Sequence, residues 1–131
     1  DLPQSPAERP LIMFDFLKPK GKTMNIRKID DNFSVTGQIT PEQVKDLSDA
    51  GYKGIICARP DNEEGGQPSF DAVARAAEAE GIRIVHIPVS GMLGEGQIIR
   101  FHHAWEKMPK PILGYCRSGA RAGSLYATLD R

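Results

Sequence analysis

Short apolar segments typical of β-strands alternate with amphipathic helical segments along most of this chain, and this alternation limits the fold more than any other feature. The predicted strands are 26–29, 33–36, 53–57, 82–89 and 112–115, and the predicted helices lie near 40–50, 70–80, 98–108 and 122–129. A helix between two strands returns the chain to the same end of a sheet, so the pattern predicts parallel strands. The expected fold is α/β, with a small, mainly parallel sheet and helices on both faces. The apolar run 82–89 is typical of a strand covered on both faces.

The first 23 residues differ from the rest of the chain and hold four of its ten prolines. Pro19 and Gly21 would break any helix that began there. We therefore predict that residues 1–23 are a tail or linker. The remainder, residues 24–131, has the length of one domain with a single hydrophobic core.

The balance of charge excludes several classes of partner. Seventeen Lys and Arg residues balance seventeen Asp and Glu residues, so we expect no nucleic-acid or anionic-lipid partner. No apolar run reaches the roughly 18 residues that a membrane helix needs, and no secretory leader opens the sequence, which predicts a cytoplasmic protein. Two cysteines and three histidines, two of them adjacent on a helix, indicate no metal site, and we expect no cofactor.

The segment 114–125, GYCRSGARAGSL, ends a predicted strand at Cys116 and begins a helix a few residues later. Backbone N–H groups at the start of that helix can converge on one anion, and Gly119 permits a close approach. Arginines on either side of this glycine add positive charge near the thiol, which favours the reactive thiolate. The predicted catalytic residues are Cys116 and Arg121. The residues predicted to bind an anionic substrate in this loop are Arg117, Ser118, Gly119 and Ala120.

The loop after strand 53–57 reaches the same end of the sheet as Cys116. Arg59 is predicted to extend the anion site, and Asp61 is a candidate general acid, with a capped and solvated turn as the plainer interpretation. Glu63 and Glu64 are predicted to be solvated.

Two buried candidates have plain structural interpretations. Cys57 ends a predicted strand and is interpreted as an inert thiol, with a resolving role in a Cys116 disulfide as the alternative if the two strands are neighbours. His86 lies inside a predicted strand and is interpreted as a hydrogen-bonded core histidine.

The strand–Cys–loop–Arg–helix arrangement resembles the cysteine-dependent phosphatases and the rhodanese sulfurtransferases. More narrowly, the chain resembles the phosphatase-like domain of the bacterial beta-lactamase-hydrolase-like family, through TGQITPEQ at 36–43, ARPDNEEGGQPS at 58–69, HIPV at 86–89 and GYCRSGARAGSL at 114–125. The resemblance implies a fold similar to the dual-specificity phosphatases. Members of the family are sometimes joined to metallo-beta-lactamase-like or sulfide-oxidising domains. This implies a fused or interacting domain of that kind as partner, and a link to sulfur metabolism.

Two departures from the phosphatase pattern favour sulfur transfer. Cysteine phosphatases place five residues between the cysteine and the arginine, whereas four separate Cys116 from Arg121, as in the loop of single-cysteine rhodaneses. The loop that carries the general acid in dual-specificity phosphatases corresponds to Ser90–Met92, which contains no carboxylate. Asp61 and Glu95 are the remaining substitutes for that acid.

The leading prediction is a rhodanese-like sulfurtransferase that moves sulfane sulfur from thiosulfate or a persulfide, through a Cys116 persulfide, to an acceptor thiol. The first alternative is a cysteine-based phosphatase, similar to the protein tyrosine and dual-specificity phosphatases, that acts on phosphotyrosine or a small phosphoester through a phosphocysteine. The second alternative is a non-catalytic domain that senses an anion or a persulfide.

Overall fold

The structure is a computed structural model that describes residues 24–129, so the predicted tail, residues 1–23, lies outside the described residues. The strands are β1 Arg27–Lys28, β2 Phe33–Thr36, β3 Gly54–Cys57, β4 Arg83–His86 and β5 Ile112–Tyr115. The helices are α1 Val44–Asp49, α2 Phe70–Ala79, α3 Glu95–Lys107 and α4 Ala120–Ala127, and a 3-10 turn, Pro41–Gln43, leads into α1. These bounds match the predicted order of strands and helices.

The five strands form one sheet in the order β1-β2-β5-β3-β4. Strand β1 runs antiparallel to β2, and the other neighbouring pairs are parallel. Strand β5 is therefore central, with β2 on one side and β3 on the other. This arrangement confirms the predicted α/β fold with a small, mainly parallel sheet.

Each face of the sheet has its own hydrophobic core. On one face α3 and α4 contribute side chains such as Phe101 and Leu125. On the other face α1 and α2 contribute side chains such as Leu47 and Val73. Successive residues of a strand point to opposite faces, so β3 and β5 supply side chains to both cores. Helices cover both faces, as predicted.

The first core is built around Phe33 of β2, whose side chain is fully buried. Its ring stacks on the ring of Tyr126 in α4, with 4.3 Å between centroids. Burying a side chain of this size contributes roughly 1.5–3 kcal/mol to folding. Gly114 of β5 faces the same core, and a Cβ built there would lie 2.7 Å from the ring of Phe33 and 2.9 Å from the Cβ of Ala122. Helix α4 thus packs closely on β5, which sets the position of the loop between them.

Strand β4 differs from its prediction. It lies at the edge of the sheet, Arg83 is exposed, and the rest of the strand is half-buried. Both faces of β4 are nevertheless packed, because Val85 contacts the core under α3 and α4 and Ile84 contacts the core under α1 and α2. The predicted cover on both faces is therefore present but incomplete, since the strand has a hydrogen-bonded neighbour on one side only. The strand also ends at His86, before Pro88, which has no N–H to donate to a ladder.

Candidate active site

Cys116 directly follows the central strand β5 and is fully buried. Its backbone N–H donates to the carbonyl oxygen of Thr36 at 3.4 Å, which continues the pairing between β5 and β2. Its Sγ accepts a hydrogen bond from the backbone N–H of Gly119 at 3.0 Å. A backbone donor aimed at the sulfur stabilises negative charge there, so the loop suits a thiolate nucleophile.

Gly119 makes the loop turn into α4. Its φ of 97° is left-handed, a conformation that residues with a Cβ rarely adopt. A Cβ at this position would also lie 3.4 Å from backbone atoms of Thr36. The helix begins at the next residue, Ala120, so its positive N-terminal end lies beside the thiol. The structure thus brings together Cys116 and the helix start, as the sequence predicts.

Arg121 lies in the first turn of α4 and is held from two other loops. Its Nη1 and Nη2 donate to the two carboxylate oxygens of Glu63, at 2.7 and 3.0 Å. Its Nη1 also donates to the carbonyl oxygen of Val89 at 2.8 Å. A bidentate arginine–carboxylate pair fixes the plane of the guanidinium, so Arg121 has one preferred orientation near Cys116.

Glu63 is the residue of this site that the sequence did not indicate. Besides Arg121 it accepts a hydrogen bond from Nε of Arg59 at 2.8 Å. Hydrogen bonds from Arg121 and then Arg59 lower the pKa of Glu63 from 4.5 to about 2. The prediction that Glu63 is simply solvated was therefore wrong. Its partner Arg121 is 58 residues away along the chain, so no local pattern indicates the pair.

Arg59 is the second arginine that hydrogen-bonds to Glu63. Its side chain is only 3% exposed, and its nitrogens donate to Glu63, to Glu64 at 3.0 Å and to the Gln38 side chain at 3.0 Å. Nε2 of His86 lies 2.8 Å from the carbonyl oxygen of Arg59, so His86 is hydrogen-bonded to this loop. Arg59 thus orients the ion-pair network, and its predicted direct contact with an anion stays a prediction.

Asp61 lies on the same loop but is engaged elsewhere. Its Oδ1 accepts a hydrogen bond from the backbone N–H of Phe70 at 2.8 Å, at the start of α2. Ser69 caps the same helix by accepting from the backbone N–H of Ala72 at 3.1 Å. This contact is that of a capped turn, which is the plainer of the two interpretations of Asp61.

Strands β3 and β5 are neighbours, but Cys57 and Cys116 lie on opposite faces of the sheet. Cys57 belongs to the core under α1 and α2, and Cys116 to the core under α3 and α4. Both thiols are free. Burial raises the pKa of Cys57, and its Sγ lies 3.4 Å from the carbonyl oxygen of Arg59. This placement favours the inert interpretation of Cys57 over a disulfide with Cys116.

The remaining predicted anion ligands form the outer rim of the loop. Arg117, Ser118 and Ala120 are exposed. The Oγ of Ser118 accepts a hydrogen bond from the backbone N–H of Ala120 at 3.3 Å, which stabilises the turn. The loop therefore has a buried floor at the thiol and an exposed, cationic rim.

Within residues 24–129, no three His, Cys, Asp or Glu side chains are grouped so that they could hold a metal ion. None of the helices in the same range has the length and hydropathy required to cross a bilayer.

Comparison with known proteins identifies the family. The family model described as "Beta-lactamase hydrolase-like protein, phosphatase-like domain" matches residues 25–130. A beta-lactamase hydrolase-like protein of Agrobacterium fabrum is 36% identical over 104 residues, which are 79% of this chain and 24% of that protein. The chain thus spans about a quarter of the length of this curated relative.

Solved structures agree on the fold. A candidate phosphatase from Neisseria meningitidis matches with a TM-score of 0.72 and 31% identity, over 79% of this chain and 75% of that one. The catalytic core of the PP-IP phosphatase Siw14 from S. cerevisiae matches with a TM-score of 0.59 and 18% identity, over 77% and 61% of the two chains. The second match shows a cysteine-phosphatase-like fold alone. With the family match across 25–130, these similarities show that the chain belongs to the beta-lactamase hydrolase-like family through its phosphatase-like domain.

Proposed function

We propose that this domain is a cysteine-dependent phosphatase in which Cys116 is the nucleophile. The observation that carries the proposal is the hydrogen bond from the Gly119 N–H to the Cys116 Sγ, at the start of a helix. The phosphatase-like family and fold support the same chemistry. Phosphoryl transfer therefore takes precedence over the sulfur transfer that the loop spacing and the missing general acid favour.

The reaction would proceed in two displacements. The Cys116 thiolate attacks phosphorus, the S–P bond forms, and the P–O bond to the leaving group breaks with its electron pair. Water then attacks the phosphocysteine, the S–P bond breaks, and inorganic phosphate and the thiolate are released. Loop N–H groups and Arg121 would stabilise charge on the phosphoryl oxygens in both steps.

The carboxylates near the loop limit the choice of substrate. A pKa of about 2 keeps Glu63 ionised near neutral pH, so it has no proton to give a leaving group. Asp61 accepts a hydrogen bond at the start of α2, and Ser90–Met92 contains no carboxylate. We therefore expect aryl phosphates to react faster than alkyl phosphates, because a phenolate leaves more easily without a general acid.

Sulfur transfer is the second candidate, and the four-residue spacing between Cys116 and Arg121 favours it. The thiolate would attack the sulfane sulfur of thiosulfate, the new S–S bond would form, and sulfite would leave with the electron pair of the old one. An acceptor thiolate would then take the outer sulfur and regenerate Cys116. This cycle needs no general acid. A metallo-beta-lactamase-like or sulfide-oxidising domain as partner stays a prediction.

One paired assay separates the candidates. Phosphate release from an aryl phosphate and thiocyanate formation from thiosulfate and cyanide are measured with the same preparation. Cys116→Ser should abolish the activity, and the matched control Cys57→Ser should keep it. Phosphate release with a phosphocysteine detected by mass spectrometry supports the phosphatase. Thiocyanate formation with one added sulfur on Cys116 would replace it with the sulfurtransferase, and absence of both activities would leave the sensing role.

A further inference from the structure

A polar cleft of about 510 Å³ opens beside the outer rim of the cysteine loop. Arg117 and Ser118 line one wall of it, directly after the nucleophile. Arg27 of β1 lines another wall, and Gln38 and Thr40 contribute an amide and a hydroxyl. Within the described range 24–129, no Asp or Glu side chain lines the cleft.

Arg27 and Arg117 of the cleft differ from the two arginines that are paired with Glu63. Arg27 and Arg117 are exposed, and neither forms an ion pair with any side chain in the described range 24–129. By contrast, Arg59 and Arg121 are both paired with Glu63. Two unpaired cations on one polar cleft create a local positive potential, although the whole chain has no net charge.

The antiparallel direction of β1 places Arg27 near the cysteine loop. Arg27 pairs with Val35 of β2, and Val35 pairs with Gly114 of β5. Two strand spacings of about 4.8 Å and two residues of advance along β5 separate the Cα atoms of Arg27 and Cys116 by about 12 Å. An arginine whose Cα lies that far from Cys116 can place its guanidinium beyond an anion bound at the thiol and within reach of a second anionic group on the same molecule.

We propose that the cleft between Arg27 and Arg117 binds a second anionic group of the substrate, so that the preferred substrates carry two separated anionic groups, such as two phosphates. Arg117 would contact the segment between the two groups, and Arg27 the distal group. The inference rests on the proposed function in one respect, namely that the first anionic group is the one that reacts at Cys116. Binding of the second group in the cleft can be tested without any reaction.

The test uses the full 131-residue chain with Cys116→Ser, so that no turnover consumes the probe. Calorimetry compares the affinities of inorganic phosphate and inorganic tripolyphosphate. Tripolyphosphate should bind more tightly, and Arg27→Gln should reduce its affinity by about fivefold while leaving phosphate unchanged, as expected for one exposed charge pair. The matched control is Arg83→Gln, which removes an exposed arginine from β4 at the opposite edge of the sheet and should change neither affinity.

Three results would overturn the proposal. Equal affinities for the two probes would mean that no second group is bound. An unchanged tripolyphosphate affinity in Arg27→Gln would place the second group elsewhere. Tripolyphosphate binding that persists in saturating phosphate would separate the cleft from the cysteine loop. None of these results depends on catalysis, so failure of the phosphatase assay with intact tripolyphosphate binding would reject only the proposed reaction.

Discussion

The Glu63 carboxylate offers the sharpest test of how the site is held together, because it joins two arginines from different parts of the chain. Glu63→Gln keeps the size of the side chain but removes its charge. Folding lowers the pKa of Glu63 from 4.5 to about 2, and at about 1.36 kcal/mol per pKa unit this corresponds to ~3 kcal/mol of unfolding free energy. The side chain is 28% exposed, so solvent screening reduces the expected loss of unfolding free energy to about 1–2 kcal/mol at pH 7.

The pH dependence gives this prediction its sign. A carboxyl whose pKa is lowered by folding stabilises the protein above its unfolded pKa of 4.5, and the stabilisation is lost as the pH falls towards about 2. Urea unfolding of wild type and Glu63→Gln should therefore differ most near pH 7 and converge below pH 4.5. The control is Glu64→Gln. The Glu64 side chain is 57% exposed, and within residues 24–129 its ion-pair partner is Arg59 and not Arg121.

Two results would refute the reasoning. If Glu64→Gln lost as much stability as Glu63→Gln, the link to Arg121 would contribute nothing of its own. If the loss in Glu63→Gln stayed constant from pH 7 to pH 3, the effect would come from packing rather than from charge.

Four further substitutions test the cysteine loop, helix α4 after it and the central strand β5. Gly119→Ala should lower the unfolding free energy by about 1–2 kcal/mol, because its φ of 97° is left-handed. Gly123→Ala, with no atom within 4 Å of the added Cβ, should instead raise it by about 0.5–1 kcal/mol in the same thermal unfolding assay. Gly114→Ala should cost about 1–3 kcal/mol in urea, since the new Cβ would lie 2.7 Å from Phe33, and an unchanged midpoint would contradict the packing of α4 on β5. Arg121→Lys should reduce kcat/KM for an aryl phosphate by about tenfold or more, because lysine cannot make the bidentate contact that Arg121 makes with Glu63. Equal kcat/KM values for the two proteins would show that Arg121 takes no part in the reaction.

The sequence predicts most of the fold because local patterns carry it. Helical spacing from Phe70 to Ala77 and the glycine at 81 predict α2, which ends at Ala79. Thr40 and Gln43 have the residue types and the spacing of a capping box, and in the structure Thr40 Oγ1 accepts a hydrogen bond from the Gln43 N–H at 3.3 Å. Such signals lie within a few residues of one another, so they are readable without knowledge of the tertiary structure.

The features that the sequence does not reveal depend on strand order and on long-range pairing. The edge position of β4 follows from β5 lying between β2 and β3, and no local pattern specifies that order. The contact between Glu63 and Arg121 likewise requires two loops to meet. The cysteine loop itself is readable, because Cys116, Gly119 and Arg121 lie within six residues.

The shared guanidinium of Arg121 also has a consequence for how substitutions combine. Arg121 belongs to the start of α4, and its side chain hydrogen-bonds to the loop after β3 and to the segment after β4. Because these segments share a partner, a substitution in one changes the cost of a substitution in another, and their effects on stability will not add. The order in which mutations accumulate at residues 59, 63 and 121 should therefore decide which sequences remain folded.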